Sequence, residues 1–171
     1  LWLKGALFMQ NNNLKLLTKY AVLIALTTVM TMVIQIPTVG TEGYLNLGDM
    51  VVFLAALMLG KKGGFIVGGF GSAMADLLSG YTHYVPITFV VKGLEGLIAA
   101  SLLETKIGKD KPIVATSIAG IFMAFGYFVP EVFMYGKAAA ASIPGNIMQG
   151  LVGAITSVVL YTALKRTEQF N

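Results

Sequence analysis

Two charged residues, Lys92 and Glu95, lie inside an apolar run, VPITFVVKGLEGLIAASLL from Val85 to Leu103, that is long enough to cross a lipid bilayer. Each charge costs a few kcal/mol or more at bilayer depth, so their presence needs a reason. A spacing of three puts both on one face of a helix, in line with Thr88. Such a stripe points inward, at protein or at a cavity. Two readings stand: a structural ion pair that locks the bundle, or part of a ligand site.

The rest of the chain offers little reactive chemistry. There is one histidine, His83, and no cysteine, which excludes a multi-histidine metal site, disulfides, thiol catalysis and zinc–thiolate centres. The sequence contains no nucleophile–base set, no H-E-x-x-H and no paired aspartates in a GxGD setting. It also has no G-x-x-x-x-G-K-[ST] loop, so it does not hydrolyse ATP by that route. The expectation is a protein that is not an enzyme and holds no metal or cofactor.

The elements that position the two charges follow from composition. The chain has 171 residues, of which 56% are hydrophobic and 12% charged, with a mean hydropathy of +0.78. That balance marks an all-α integral membrane protein. At roughly 20 residues per crossing the length allows about five to seven helices in one membrane domain covering 1–171. The net charge of +4 comes from lysines scattered in short polar gaps that form no basic face. They read as topology signals, with no nucleic-acid partner implied.

Read in order, the chain gives six transmembrane helices over 20–36, 49–60, 63–79, 85–103, 113–133 and 146–164. The first eight residues precede Met9, which reads as a natural start, and are set aside as a possible extension. Residues 11–19 are polar and basic, suited to a membrane surface. Ala21 and Ala25 make a small-xxx-small pair that lets two helix backbones approach closely. The 49–60 helix, at about 1.5 Å per residue, is short for a bilayer and is bounded by glycine, a pointer to a transporter binding site. Pro130-Glu131 interrupts the fifth helix near its end. Alternating the six places Lys15, Lys19, Lys61, Lys62, Lys106, Lys109, Lys111, Lys165 and Arg166 on one side and Lys137 on the other. The positive-inside rule then puts both termini in the cytoplasm.

With that topology the intramembrane polar residues share one half of the bilayer. Asp49, Asp76, Lys92, Glu95, Glu131, Asn146 and Gln149 all fall in the outer half, which favours an outward-facing pocket. Its lid is the 37–47 loop, and Tyr44, Tyr81, Tyr84, Tyr127 and Tyr135 wall it. Individually each residue has a plainer reading. Asp49 and Asn146 suit helix N-termini, Asp76 suits helix packing, and His83 and the tyrosines suit a membrane-interface belt. Gln149, a turn deeper than Asn146, has no capping role to explain it. Together they suit a small, polar, ring-containing nutrient.

Three stretches, LNLGDMVVFLAALMLGKKGG, GSAMADLLSGY and VPITFVVKGLEG, taken in this order, resemble the substrate-capturing S components of energy-coupling factor (ECF) vitamin transporters. The likeness runs from Lys15 onward and is greatest to members assigned to hydroxymethylpyrimidine or pyridoxine, with pantothenate types next. It implies a bacterial plasma-membrane protein of six helices whose substrate site faces outward, beneath the loop after the first helix, with most contacts from the fourth, fifth and sixth. It also implies partners: a transmembrane coupling subunit and two cytoplasmic ATPases, docked on Ala21 and Ala25. The candidate substrate residues are then Lys92, Glu95, Gln149, Asn146, Thr88, Asp49, Asp76, His83, Tyr84 and Glu131. A self-sufficient ion-coupled transporter, with Lys92, Glu95 and Asp76 as coupling groups, is the alternative. Against it, the six helices show no clear inverted repeat.

Overall fold

Glycine and proline set the boundaries of the helices. The computed structural model describes residues 2–167, with side chains from residue 13 onward; the end of the basic tail, 168–171, lies outside the described residues. Helix α1 (Trp2–Val33) leads into two short antiparallel strands, β1 (Ile36–Pro37) and β2 (Tyr44–Leu45), in which Ile36 faces Leu45 and Pro37 faces Tyr44. There follow α2 (Gly48–Ser79), α3 (Val85–Leu103), the short α4 (Lys106–Asp110), α5 (Pro112–Tyr135), a 3-10 segment (Gly136–Ser142) and α6 (Ile143–Arg166).

Within α2, Gly60 takes φ 67° and ψ −158°, a conformation a side chain would resist, and splits the element into two helical arms. Both outer ends of α2 lie beside the β-hairpin. Asn46 Oδ1 accepts from the Gly48 N–H at 2.8 Å, and Gln35 Nε2 donates to Ser79 Oγ at 3.0 Å. The chain therefore doubles back at Gly60, and Lys61 next to the turn pairs with Glu104 at 2.6 Å. Gly80, with φ 87°, closes the second arm through N–H bonds to the carbonyls of Asp76 and Leu77.

Two sequence expectations are corrected. The first helix, expected over 20–36, runs unbroken from Trp2 through the polar 11–19 segment and stops at Val33. Pro130 does not interrupt the fifth helix, which runs through it to Tyr135 and stops at Gly136, φ 63°. A buried bundle tolerates such a proline because neighbouring groups can satisfy the freed carbonyl.

Close backbone contacts hold the helices together. In lipid, apolar side chains gain little by meeting one another, so small residues and van der Waals contact carry the packing. A Cβ added to Gly150 would lie 2.7 Å from Gly120 Cα, which joins α6 to α5. One added to Gly64 would overlap the Gly96 carbonyl and so separate α2 from α3. Thr28 ties α1 to α2 by donating to the Gly71 carbonyl at 2.9 Å. Among the described residues, four stretches are long and apolar enough to cross a membrane: Asn13–Val33, Gly48–Ser79, Val85–Leu103 and Pro112–Arg166. Ala21 and Ala25 are exposed on α1, while Leu23, Thr27 and Thr28 are buried.

Candidate functional site

A lysine without a partner would not survive in this interior, and Lys92 has two. At 2% exposure, its Nζ donates to Asp49 Oδ1, from the first turn of α2, and to Glu95 Oε2 at 3.0 Å. Asp49 is therefore an ion-pair partner and makes no helix cap. Its other oxygen, Oδ2, accepts from Gln149 Nε2 at 3.1 Å, and Gln149 Oε1 accepts from the Asn46 backbone N–H at 2.7 Å. One connected set of bonds thus joins α2, α3, α6 and the hairpin. Glu95, fully buried, stands behind Lys92, whose ammonium also lies 5.8 Å from the centre of the Tyr127 ring.

Lys92 and Gln149 form part of the wall of a polar cavity of about 30 Å³, room for a few water molecules. Thr31 of α1, Ser72 and Asp76 of α2, and Thr88 of α3 line it, together with Tyr127 and Glu131 of α5 and Asn146 of α6. The hairpin contributes Thr38, Gly43, Tyr44 and Asn46. Tyr44 reaches from the hairpin to donate to Asp76 Oδ1 at 2.5 Å and packs against Tyr81, ring centres 4.7 Å apart and planes tilted by 48°. Tyr84, just before α3, donates to Glu131 Oε1 at 3.0 Å, while Ser142 donates to Glu131 Oε2 at 2.8 Å. Tyr127 donates to Thr88 Oγ1 at 3.1 Å. Burial, and then the bond to Asp76, pushes the Tyr44 phenol up. Burial also raises Tyr84, ahead of its neighbours Tyr135 and Glu131. Both phenols stay protonated and serve as donors to the carboxylates beneath them.

Of the residues singled out from the sequence, Thr88, Lys92, Asp76, Tyr84, Glu131, Asn146 and Gln149 meet around this cavity. Asn146 lies inside the first turns of α6 and caps nothing. Asp49 and Glu95 hold Lys92 from behind. His83 is set apart at the rim, partly exposed, with Nε2 3.5 Å from Glu42 Oε2 and from the Tyr135 hydroxyl. Sequence reasoning missed Thr31, Ser72, Asn46 and Ser142.

Four buried side-chain atoms among the described residues make no hydrogen bond within the protein: Thr31 Oγ1, Ser72 Oγ, Asp76 Oδ2 and Glu95 Oε1. The first three belong to residues that line the cavity. Each such group costs about 1–3 kcal/mol, so their convergence on one space marks it as a place for a polar ligand.

The family model for the ECF-type riboflavin transporter S component matches residues 11–166. The chain belongs to this family. Among its relatives, the thiamine precursor transporter HmpT of Lactococcus lactis subsp. cremoris is 32% identical over 165 residues, 95% of each chain. A protein of Pyrococcus woesei, described as an uncharacterized protein in gap 3′region, is 35% identical over 140 residues, 81% of this chain and 94% of its own. The UPF0397 protein YdcD of Lactococcus lactis subsp. lactis is 29% identical over 168 residues, 91% of each. The family and its named relative are transporters. This S component is accordingly a membrane protein of vitamin-type substrate capture, and its family implies association with components of an ECF module.

Proposed function

We propose that this S component captures a small ring-containing vitamin or vitamin precursor from the outer face of the membrane and delivers it to an ATP-driven module. A hydroxymethylpyrimidine or pyridoxine is favoured, with pantothenate next. The convergence of Thr31, Ser72 and Asp76, each with an unpaired buried atom, on one cavity carries the reading. The name of the HmpT relative, a thiamine precursor transporter, supports a vitamin precursor as the substrate. A single ring also asks for less displacement of the hairpin than the tricyclic ring of riboflavin, since the cavity is about 30 Å³. A vitamin larger than this space would displace part of the wall, to which Tyr44 and Gly43 of the hairpin belong.

The proposed topology has six crossings, with the doubled-back α2 and the α5–α6 pair each crossing twice and both termini in the cytoplasm. The lysine-rich turns support it, since Lys61 and Glu104 pair at the end remote from the hairpin. The site then faces outward in a bacterial plasma membrane. Lys92, Gln149, Asn146, Thr88, Asp76, Tyr84 and Glu131 would contact the substrate. Asp49 and Glu95 would set the ammonium in place, and His83 would lie on the entry path. Exposed Ala21 and Ala25 would receive the coupling subunit, which brings the two ATPases.

Reconstitution in proteoliposomes tests the proposal. Uptake of the vitamin should require the coupling subunit, the ATPases and ATP. Uptake by the isolated chain driven by an ion gradient would replace this reading with the ion-coupled transporter.

A further inference from the structure

The carboxylates around the cavity differ in what they leave free. Glu131 has both oxygens taken, by Tyr84 and Ser142. Asp49 has both taken, by Lys92 and Gln149. Glu95 has one free oxygen, but it stands off the cavity wall behind Lys92. Asp76 alone among these four lines the cavity with a free oxygen. Tyr44 holds Oδ1 at 2.5 Å, and Oδ2 is buried without a partner in a residue 4% exposed. One helical turn away on the same face is Ser72, and across from α1 comes Thr31, both with unpaired hydroxyls. The ammonium of Lys92 is meanwhile committed to two carboxylates, so the wall has no unneutralised cation to offer an anion.

We propose that Asp76, flanked by Ser72 and Thr31, reads the substrate by accepting a hydrogen bond from a ring amino or ring N–H group. The substrate is then a neutral or cationic nitrogen heterocycle that presents donors, and anionic vitamins are rejected. This rests on the vitamin-capture reading above and deepens it. It also places the discriminating contact on the α1–α2 wall, away from the fourth to sixth helices to which the family resemblance assigns most contacts. A donor aimed at Oδ2 makes a charge-assisted bond at a buried carboxylate, where low local dielectric strengthens it. A carboxylate brought to the same place meets Asp76 with like charge and leaves both hydroxyls to accommodate it alone.

The test is calorimetric titration of the purified full chain, wild type and Asp76→Asn, with three probes. These are the aminopyrimidine bearing a hydroxymethyl group, the same ring without its amino group, and pantothenate. Wild type should bind the amino ring roughly 10- to 100-fold more tightly than the ring lacking it, the range expected for a hydrogen bond to a charged group. Asp76→Asn should lose most of that ratio, its affinity for the amino ring falling further than its affinity for the ring without the amino group. Should Asp76→Asn fail to fold, the wild-type ratio and the same ratio in Ser72→Ala decide alone, with Ser72→Ala expected to retain a preference for the amino ring. Equal binding of the two rings by wild type, an undiminished ratio in Asp76→Asn, or tighter binding of pantothenate overturns the assignment of Asp76 and leaves vitamin capture standing. Binding of none of the three, with no vitamin retained through purification, overturns both.

Discussion

Replacing Lys92 with methionine removes a charge around which three helices are arranged. The side chain is 2% exposed and its partners Asp49 and Glu95 are 1% and 0% exposed. Methionine fills most of the space, so the change leaves two buried carboxylates facing one another without a cation. Removing one partner from a buried pair costs about 3–5 kcal/mol. At about 2–4 °C per kcal/mol for a chain of this length, Lys92→Met should melt on the order of 10 °C below wild type. The cost comes from uncompensated charge, so neutralising the partners should return it. The triple variant Asp49→Asn, Lys92→Met, Glu95→Gln should melt within a few degrees of wild type and still fail to bind substrate normally. Heating detergent-solubilised protein and measuring the monodisperse fraction by size exclusion gives the three melting points. A Lys92→Met protein as stable as wild type, or a triple variant no better than the single, would refute the argument that the ion cluster is structural.

Three further expectations follow from named contacts. Ala21→Trp with Ala25→Trp places two rings on an exposed face of α1, remote from the cavity, and should abolish copurification with the coupling subunit while leaving substrate affinity near wild type. Normal transport by that double variant would move the docking face elsewhere. Single cysteines at Thr82 and Lys109, in a chain that has none, should react oppositely with an impermeant thiol reagent on intact cells, Thr82 from outside; equal labelling would contradict the topology. Gly150→Leu, at a position where a Cβ would meet Gly120 Cα at 2.7 Å, should destabilise the α5–α6 pair by about 1–3 kcal/mol, read as a lower melting point; an unchanged melting point would show that the two backbones can part without cost.

Many residues of the candidate site stood out in the sequence because charges are rare in membrane helices. Lys92 and Glu95 announced their shared face by spacing alone, and Gln149 stood out because no capping role explained it. Asp49 was visible as a residue but not as the partner of Lys92, since nothing in a sequence says which helices touch across 43 residues. Ser72 and Thr31 were missed for a different reason. A hydroxyl in a membrane helix ordinarily bonds back to its own carbonyl one turn earlier, as Thr27 does to Leu23 and Thr156 to Val152. An unpaired hydroxyl looks the same in the sequence. The break at Gly60 was readable from the glycine and the Lys61-Lys62 pair that follows it, whereas Pro130 was misread because proline's cost in a helix depends on what surrounds it.

Binding of a small nitrogen-containing vitamin in the cavity between the hairpin and Lys92 can be read from mass spectrometry of the small molecules released on denaturing the purified protein. Wild type should release one ring-containing vitamin or precursor at close to one per chain, and Gln149→Ala, which loses its bonds to Asp49 and to the hairpin at Asn46, should release much less of the same compound. Release of no such compound by wild type, or of equal amounts by both proteins, would contradict binding there.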